Sequence, residues 1–392
     1  MTDALVVGAG PAGLMAAEVL ADAGYSVLLA EAKPSLGRKF LMAGKSGLNL
    51  TKSEPLDNFI ATYGESSDWL RPCITAFDNF AVMNWSEALG QTTFIGSTRR
   101  VFPKAMKASP LLRAWLTRLA SKGVSLQTRW QCNGWTGNNF FFKTPNGPRT
   151  ITPKATILAV GGASWAQLGS DGAWTKLFAK RGIKTEPFAP SNMGINVTWS
   201  KYMKPHFGTP LKNITMTVGS VMKKGECVLS KSGLEGSLVY QFSAALRNNM
   251  PVQIDLQPDH TTTALQMRID KQTNKASLTS VLRKAAKLDA AKSALVMEFA
   301  RTCKRNKLAQ IIKSLSIPYT GTETMDRAIS TAGGVREIDL TEDFMLKSAE
   351  GIFCAGEMLD WEAPTGGYLI TACLATGRAA GAGAAQYIKS QT

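Results

Sequence analysis

The chain has 392 residues, 44% of them hydrophobic, with 35 glycines and a formal net charge of +16. That length exceeds what one simple core carries and predicts two or three domains of an α/β protein. Six scattered cysteines without a CxxC pair give little support to a disulfide framework, a zinc site or a dithiol redox centre, and the two histidines (His206 and His260) exclude a histidine-rich site, so no metal is expected. No apolar run reaches the ~18 residues of a membrane span. The N-terminus enters "ALVVGAG" directly, which reads as a buried strand rather than a signal peptide, and the expected location is cytoplasmic.

In chain order, "DALVVGAGPAGLMAAEVLADAGYSVLLAEA" predicts strand, glycine turn, amphipathic helix and second strand, a βαβ unit of about thirty residues. "GRKFLMAGKSGLNLT" (37–51) has too many glycines to be one regular element. A helix is expected over 109–123, strands near 125–130 and 138–143, and a buried strand in "ATILAVGG" (155–162). From about 190 the pattern alternates like a small antiparallel sheet or barrel, in "MGINVTWS", "ITMTVGSVMKKGECVLS" and "VQIDLQP". After Pro258 it becomes helical and basic, until Pro318 closes that block. "GIFCAGEMLD" predicts a late buried strand and "TGGYLITACLATGRAAGAGAAQYI" a glycine-opened helix. The predicted organisation is a nucleotide-binding domain formed by 1–190 and 332–392, interrupted by an insert at 191–331. Within the insert, a sheet subdomain covers 191–258 and 317–331 and a helical one covers 259–316.

Charge follows this division. Residues 260–316 hold 12 basic and 3 acidic residues, whereas 332–392 is net −4. The basic block is either an electrostatic footprint for a polyanion such as RNA or a solvated helical face.

Gly8-Ala9-Gly10-Pro11-Ala12-Gly13 is a GxGxxG in the context that gives it meaning, after a strand and opening a helix. Gly8 permits the turn, Gly10 the approach of a pyrophosphate, and Gly13 close helix–strand packing. The helix N-terminus then faces the phosphates. Glu31, at the end of the second strand, is placed to bond the adenosine ribose. Gly356 and Glu357 follow a late strand as in flavoproteins of the glutathione-reductase type, and favour FAD over NAD. Thr365, Gly366, Gly367 and Tyr368 open a helix whose N–H groups can face the N1/O2 edge of a flavin. Ala159 and Gly161 close the strand before them, without the third glycine of a second dinucleotide site. NAD(P)H is therefore expected, at most, as an electron donor without its own Rossmann domain. Arg38 and Lys39 are candidates for the pyrophosphate side, with Gly44 to Asn49 beside the flavin ring.

The blocks "GAGPAG", "GRKFLMAG…N", "RRVFPKAMKAS", "ATILAVGGAS…GSDG", "GGV" and "FCAGEMLDWEAPTGGY" resemble, in this order, the BaiN/YhiN-type bacterial flavoproteins. These are also labelled aminoacetone-oxidase-family FAD-binding proteins. The resemblance spans nearly the whole chain and implies a glutathione-reductase-like FAD-binding Rossmann domain with an inserted small β-barrel and a helical subdomain. It also implies reduction of conjugated C=C bonds, in steroid-like enones or in rRNA uridine. Two motifs depart from that pattern. Gly44-Lys45-Ser46-Gly47-Leu48-Asn49 stands where the family commonly has Gly-Gly-Gly-Arg-Cys-Asn. Ser230 to Ser237 stands where it often has Thr-His-Phe-Gly-x-Ser-Gly-Pro, so the relatives' Cys and His are absent.

The expected activity is hydride transfer from reduced FAD to an activated C=C bond, with Lys45, Ser46, Lys231, Glu235 and Tyr368 as candidate proton donors or carbonyl polarisers. The alternatives are an amine or ketone oxidase, or an RNA- or ribosome-associated flavoprotein whose FAD is structural or redox-sensing.

Overall fold

The computed structural model describes residues 2–45, 47–273 and 275–391. The chain divides into two compact units, residues 1–189 with 329–392, and residues 190–328.

The first unit is built on a five-stranded sheet in the order Ile352–Cys354, Ala155–Leu158, β1 (Ala4–Val7), β2 (Val27–Glu31) and Ser125–Thr128. All four pairings are parallel, so every strand ends on the same sheet edge, where doubly wound folds place their ligands. The first four of these strands are buried on both faces, as their unbroken apolar runs require: Leu5, Val6, Leu29, Ile157 and Phe353 are each fully buried, whereas the edge strand Ser125–Thr128 stays partly exposed. Burial of that kind is worth about 1.5–3 kcal/mol per large side chain.

β1 leads through Gly8 into α1 (Pro11–Asp22), which opens on a proline pre-set for the first helical position. A Cβ on Gly8, at φ +101, would lie 2.3 Å from the Ala159 carbonyl oxygen, so only glycine lets the turn pass under the neighbouring strand. The C-terminal helix, Tyr368–Ser390, lies against α1. Gly377 makes that approach close, since a Cβ there would sit 2.3 Å from the Ala12 carbonyl oxygen.

The glycine-rich stretch after β2 forms α2 (Arg38–Ala43), a loop, and then β3 (Thr51–Lys52). β3 belongs to a three-stranded antiparallel sheet with β4 (Thr93–Ile95) and β5 (Arg100–Pro103), β5 being central. The expected helix after it runs over Ala108–Ser121, and a meander of Gln131–Thr136, Asn139–Thr144 and Gly147–Ile151 follows. The strand expected over 155–162 ends at Leu158, because the glycines beyond it turn the chain.

The second unit holds a seven-stranded antiparallel sheet. Its order is Leu315–Ile317, Val252–Asp255, Pro210–Val218, Val221–Leu229, Gly233–Glu235, Ile195–Val197 and Tyr319–Thr322. The two edge strands are consecutive in the chain across Pro318, which makes the sheet a near-barrel. Four helices, Thr262–Asp270, Leu278–Lys284, Ala290–Ala300 and Leu308–Lys313, fill the excursion between Val252–Asp255 and Leu315–Ile317. Thr261, Ser277 and Asp289 cap the first three, each side chain accepting from a backbone N–H of the first turn.

Two expected boundaries move. The helical block stops at Lys313 rather than at Pro318, since Leu315–Ile317 already pairs with Val252–Ile254. Residues 329–331 belong to the first unit: Ser330–Gly334 pairs with the Glu186–Ser191 strand, and the Thr331 hydroxyl accepts from the N–H groups of Ala163 and Ser164. Among the described residues no helix is long and apolar enough to cross a membrane.

Candidate functional site

The edge where the parallel strands end gathers most of the residues singled out from sequence. At its centre is the start of α1. Gly10 gives no side-chain cap, so the first-turn N–H groups face outward. A Cβ on Gly10 would meet nothing within 4 Å, whereas one on Gly13 would lie 1.9 Å from the Gly8 carbonyl oxygen. Gly10 therefore leaves the approach to the helix open, and Gly13 closes the turn. Pro11 and Ala12 complete it, and Gly356 packs against Ala12 from the last strand, where a Cβ would stand 2.7 Å from that of Ala12.

Glu31 lies at the end of β2 with both carboxylate oxygens engaged. Oε2 accepts from the Ala9 N–H at 2.9 Å and Oε1 from the Lys33 N–H at 2.8 Å. The acid thus braces the glycine turn, and each oxygen retains a lone pair for a sugar hydroxyl.

Lys39, expected on the pyrophosphate side, and Glu357, from the element that favours FAD, meet each other. Lys39 Nζ lies 2.5 Å from Glu357 Oε2 and also donates to Ser164 Oγ at 2.7 Å. Glu357 Oε1 accepts from the Thr331 N–H. This network ties together α2, the loop after Ala155–Leu158 and the loop after Ile352–Cys354. Ala159 and Gly161 lie in the second of these, with the Gly161 carbonyl held by the Trp174 indole N–H at 2.8 Å.

Arg38 donates through Nη1 to Ser35 Oγ; among the described residues its buried Nε has no partner, nor has the buried Oδ1 of Asn49. A buried donor or acceptor left unpaired costs about 1–3 kcal/mol. An orphan guanidinium donor matches a phosphate, and an orphan amide oxygen matches an N–H or hydroxyl. With the open start of α1 and the acid at the end of β2, this donor and acceptor set fits FAD.

The loop after α2 is fastened by its backbone. Gly44 sits against Ala108, where a Cβ would lie 2.6 Å from the alanine's own. Leu48 N–H bonds the Met106 carbonyl, and Leu50 N–H the Val101 carbonyl. Lys45 is exposed, and its carbonyl accepts from Lys107 Nζ at 3.3 Å. Ser46 lies outside the described residues.

Thr365, Gly366 and Gly367 lead into the C-terminal helix. A Cβ on Gly367, at φ +95, would stand 2.4 Å from Thr51 Cα, and Thr371 Oγ1 donates to Thr51 Oγ1 at 2.9 Å. Tyr368 points away from solvent, its ring 4.8 Å from that of Phe59. Its hydroxyl donates to Glu54 Oε1 at 2.5 Å and accepts from Lys52 Nζ at 2.8 Å, and Lys52 and Glu54 are themselves ion-paired. Burial first, and then the Glu54 carboxylate, push the phenol far above its usual range, so it keeps its proton.

Lys231 and Glu235 belong to the second unit. Lys231 is exposed in the turn before Gly233–Glu235, and Glu235 is half-buried and paired with Val228. Lys52, Glu54, Ser164 and Thr331 were missed by sequence reasoning, and nothing in their local pattern marks them. The cysteines are all free. Burial pushes Cys73, Cys227 and Cys373 up to about 12, so none of these is a thiolate at neutral pH. Among the described residues no group of three metal-binding side chains occurs.

The model of the HI0933-like protein Rossmann domain matches residues 2–383. A 3-dehydro-bile acid delta(4,6)-reductase of Clostridium scindens is 25% identical, over 97% of this chain and 98% of the relative. A ribosomal RNA dihydrouridine synthase of Haemophilus influenzae is 23% identical, over 93% and 94%. Among solved structures, the 3-ketosteroid delta1-dehydrogenase of Sterolibacterium denitrificans superposes with TM-score 0.55 at 13% identity, covering 98% of this chain and 99% of that one. The 3-ketosteroid-delta4-(5alpha)-dehydrogenase of Rhodococcus jostii gives 0.54 at 14%, covering 98% and 96%. These two likenesses establish a shared fold.

Proposed function

The chain belongs to the HI0933-like Rossmann family of FAD-dependent oxidoreductases, and from that membership we propose that it reduces a C=C bond conjugated to a carbonyl. The observation that carries this reading is the end-to-end match to a 3-dehydro-bile acid delta(4,6)-reductase. Bound FAD would supply the hydride, delivered to the electron-poor carbon.

The chain's own groups would do the rest. The start of α1 and Arg38 hold the pyrophosphate, Glu31 takes the ribose, and Asn49 Oδ1 accepts from a flavin N–H or a ribityl hydroxyl. The N-terminal end of the Tyr368–Ser390 helix favours the negative charge that accompanies reduction. Lys39, neutralised by Glu357, positions α2 rather than adding net charge. Tyr368 holds a proton at Oη and Lys52 can replace it from Nζ, so this pair would serve as the proton store. Lys45, Ser46, Lys231 and Glu235 remain alternative donors, and NAD(P)H is the proposed source of electrons.

Anaerobic titration of the purified holoprotein tests this. Bleaching by NADPH or NADH, followed by re-oxidation with a 4-en-3-one or 4,6-dien-3-one steroid, is the expected result. Re-oxidation by oxygen alone, with stoichiometric peroxide, would point to an oxidase instead. Flavin that NAD(P)H does not reduce would favour a structural or redox-sensing role.

A second reading takes uridine in RNA as the acceptor, since uracil C5=C6 is conjugated to C4=O. It is favoured by the dihydrouridine synthase relative and by the 12 basic residues of 260–316, which would contact phosphates in a salt-sensitive way. An unchanged rRNA dihydrouridine profile in a deletion strain would sink it.

A further inference from the structure

The sheet that fastens the loop after α2 also presents aromatic and basic side chains that the cofactor site does not use. Its register pairs Phe94 with Phe102 and Arg100 with Lys52. Side chains alternate along a strand, so Phe94, Arg100 and Phe102 share one face with Lys52, whose ammonium is taken up by Glu54 and Tyr368, while Val101 and Pro103 are buried on the other. The Phe94 and Phe102 rings stack at 5.7 Å between centroids with planes 26° apart, and Phe94 is 40% exposed. Lys104 and Arg99 are exposed at the two ends of β5.

The charge here is one-signed. Residues 93–107 carry Arg99, Arg100, Lys104 and Lys107, and no Asp or Glu occurs between Glu87 and Asp171. None of the four is in an ion pair among the described residues. Lys107 also borders an open pocket of about 410 Å³ lined with Arg38 and Lys45, at the start of the Ala108–Ser121 helix, whose first turn has no side-chain cap.

An exposed stacked aromatic pair offers a π surface that any base can cover, and cations without carboxylates attract phosphates. A single-stranded nucleic acid presents both in alternation, and small sheets with exposed aromatics are one established way to bind it. We propose that the face formed by Phe94, Arg100 and Phe102, extended by Lys104 and Lys107, docks a single-stranded segment of RNA. This rests on the reading of an electron-poor C=C acceptor, with uracil as the conjugated ring, and it transfers the main RNA contact from the basic helices to this sheet.

Fluorescence anisotropy of the FAD-loaded protein with a labelled uridine-rich oligoribonucleotide tests it, with flavin content confirming that each variant is folded. Phe94→Ala is expected to weaken binding about tenfold, the size of one lost base stack. Lys104→Ala is expected to lower the slope of log affinity against log salt by about 0.7. Arg283→Ala/Lys284→Ala, on the exposed side of the helical block, is expected to bind as the parent does. Parent-like binding by Phe94→Ala and Lys104→Ala overturns the proposal, as does a loss confined to the helical variant. Preference for phosphatidylglycerol vesicles over RNA, or equal loss of a DNA strand and an RNA strand with no preference between them, overturns it too. Binding is read without turnover, so an enone that fails to re-oxidise the flavin leaves this result independent.

Discussion

At the scale of single residues, the glycine turn is the least forgiving part of the molecule. Gly13→Ala would drive a Cβ into the Gly8 carbonyl, and purified protein should lack the visible flavin spectrum. Tyr368→Phe is a milder test. It removes two hydrogen bonds to charged partners while leaving the Lys52–Glu54 pair in place, and should lower stability by about 1–2 kcal/mol, read from the urea midpoint. Acid sensitivity has a local source in Asp3, which clasps Ser26 beside the start of β1. The Ser26 hydrogen bond and then Lys154 hold its carboxyl down at about 2, from an unfolded value of 3.8. A depressed carboxyl stabilises above its unfolded value and loses that contribution as pH falls through the folded one. Asp3→Asn should therefore lower the melting temperature at neutral pH and flatten its decline between about pH 4 and 2.

At the scale of elements, what could be foreseen was what is local. Strand, turn, helix and strand at 4–31 were legible because burial period, glycine and proline all act within a few residues. The Ala108–Ser121 helix and its neighbouring strands were legible for the same reason. The pairings that shape the site were not. Lys39 and Glu357 are 318 positions apart, and Lys52 and Tyr368 are 316 apart, so only the folded sheet brings them together. Arg38 and Glu31 illustrate a subtler limit, since residue type suggested the ligand but not the backbone bracing that Glu31 also performs. The contact of α1 with the C-terminal helix yields its own test. Gly377→Ala places a Cβ against the Ala12 carbonyl, and overpacking of this kind costs about 1–3 kcal/mol. Because Ala12 belongs to the cofactor turn, FAD affinity measured by fluorescence should fall along with stability.

At the scale of the whole molecule, each unit has a hydrophobic core of its own. The core that includes Met193, Ile214, Leu234, Leu265, Leu295 and Ala328 is drawn wholly from 190–328. That segment, produced alone, should fold and unfold cooperatively in urea; a broad, non-cooperative profile would show that it depends on the remainder of the chain.

The first unit has the opposite character, because its parallel sheet is assembled from stretches widely separated along the chain. β1 and β2 emerge from the ribosome early, but the sheet lacks its edge strand until Ile352–Cys354 has been made, and α1 lacks the C-terminal helix it packs against until residue 390. At ~5–20 residues per second, the 190–328 unit would have several seconds to fold first. Nascent chains stalled before residue 350 should consequently protect the insert from protease while leaving 1–189 open to cleavage, and should be unable to retain flavin. Assembly of the cofactor site would thus be a late event in the life of each molecule, after about a third of the chain is already in its final form.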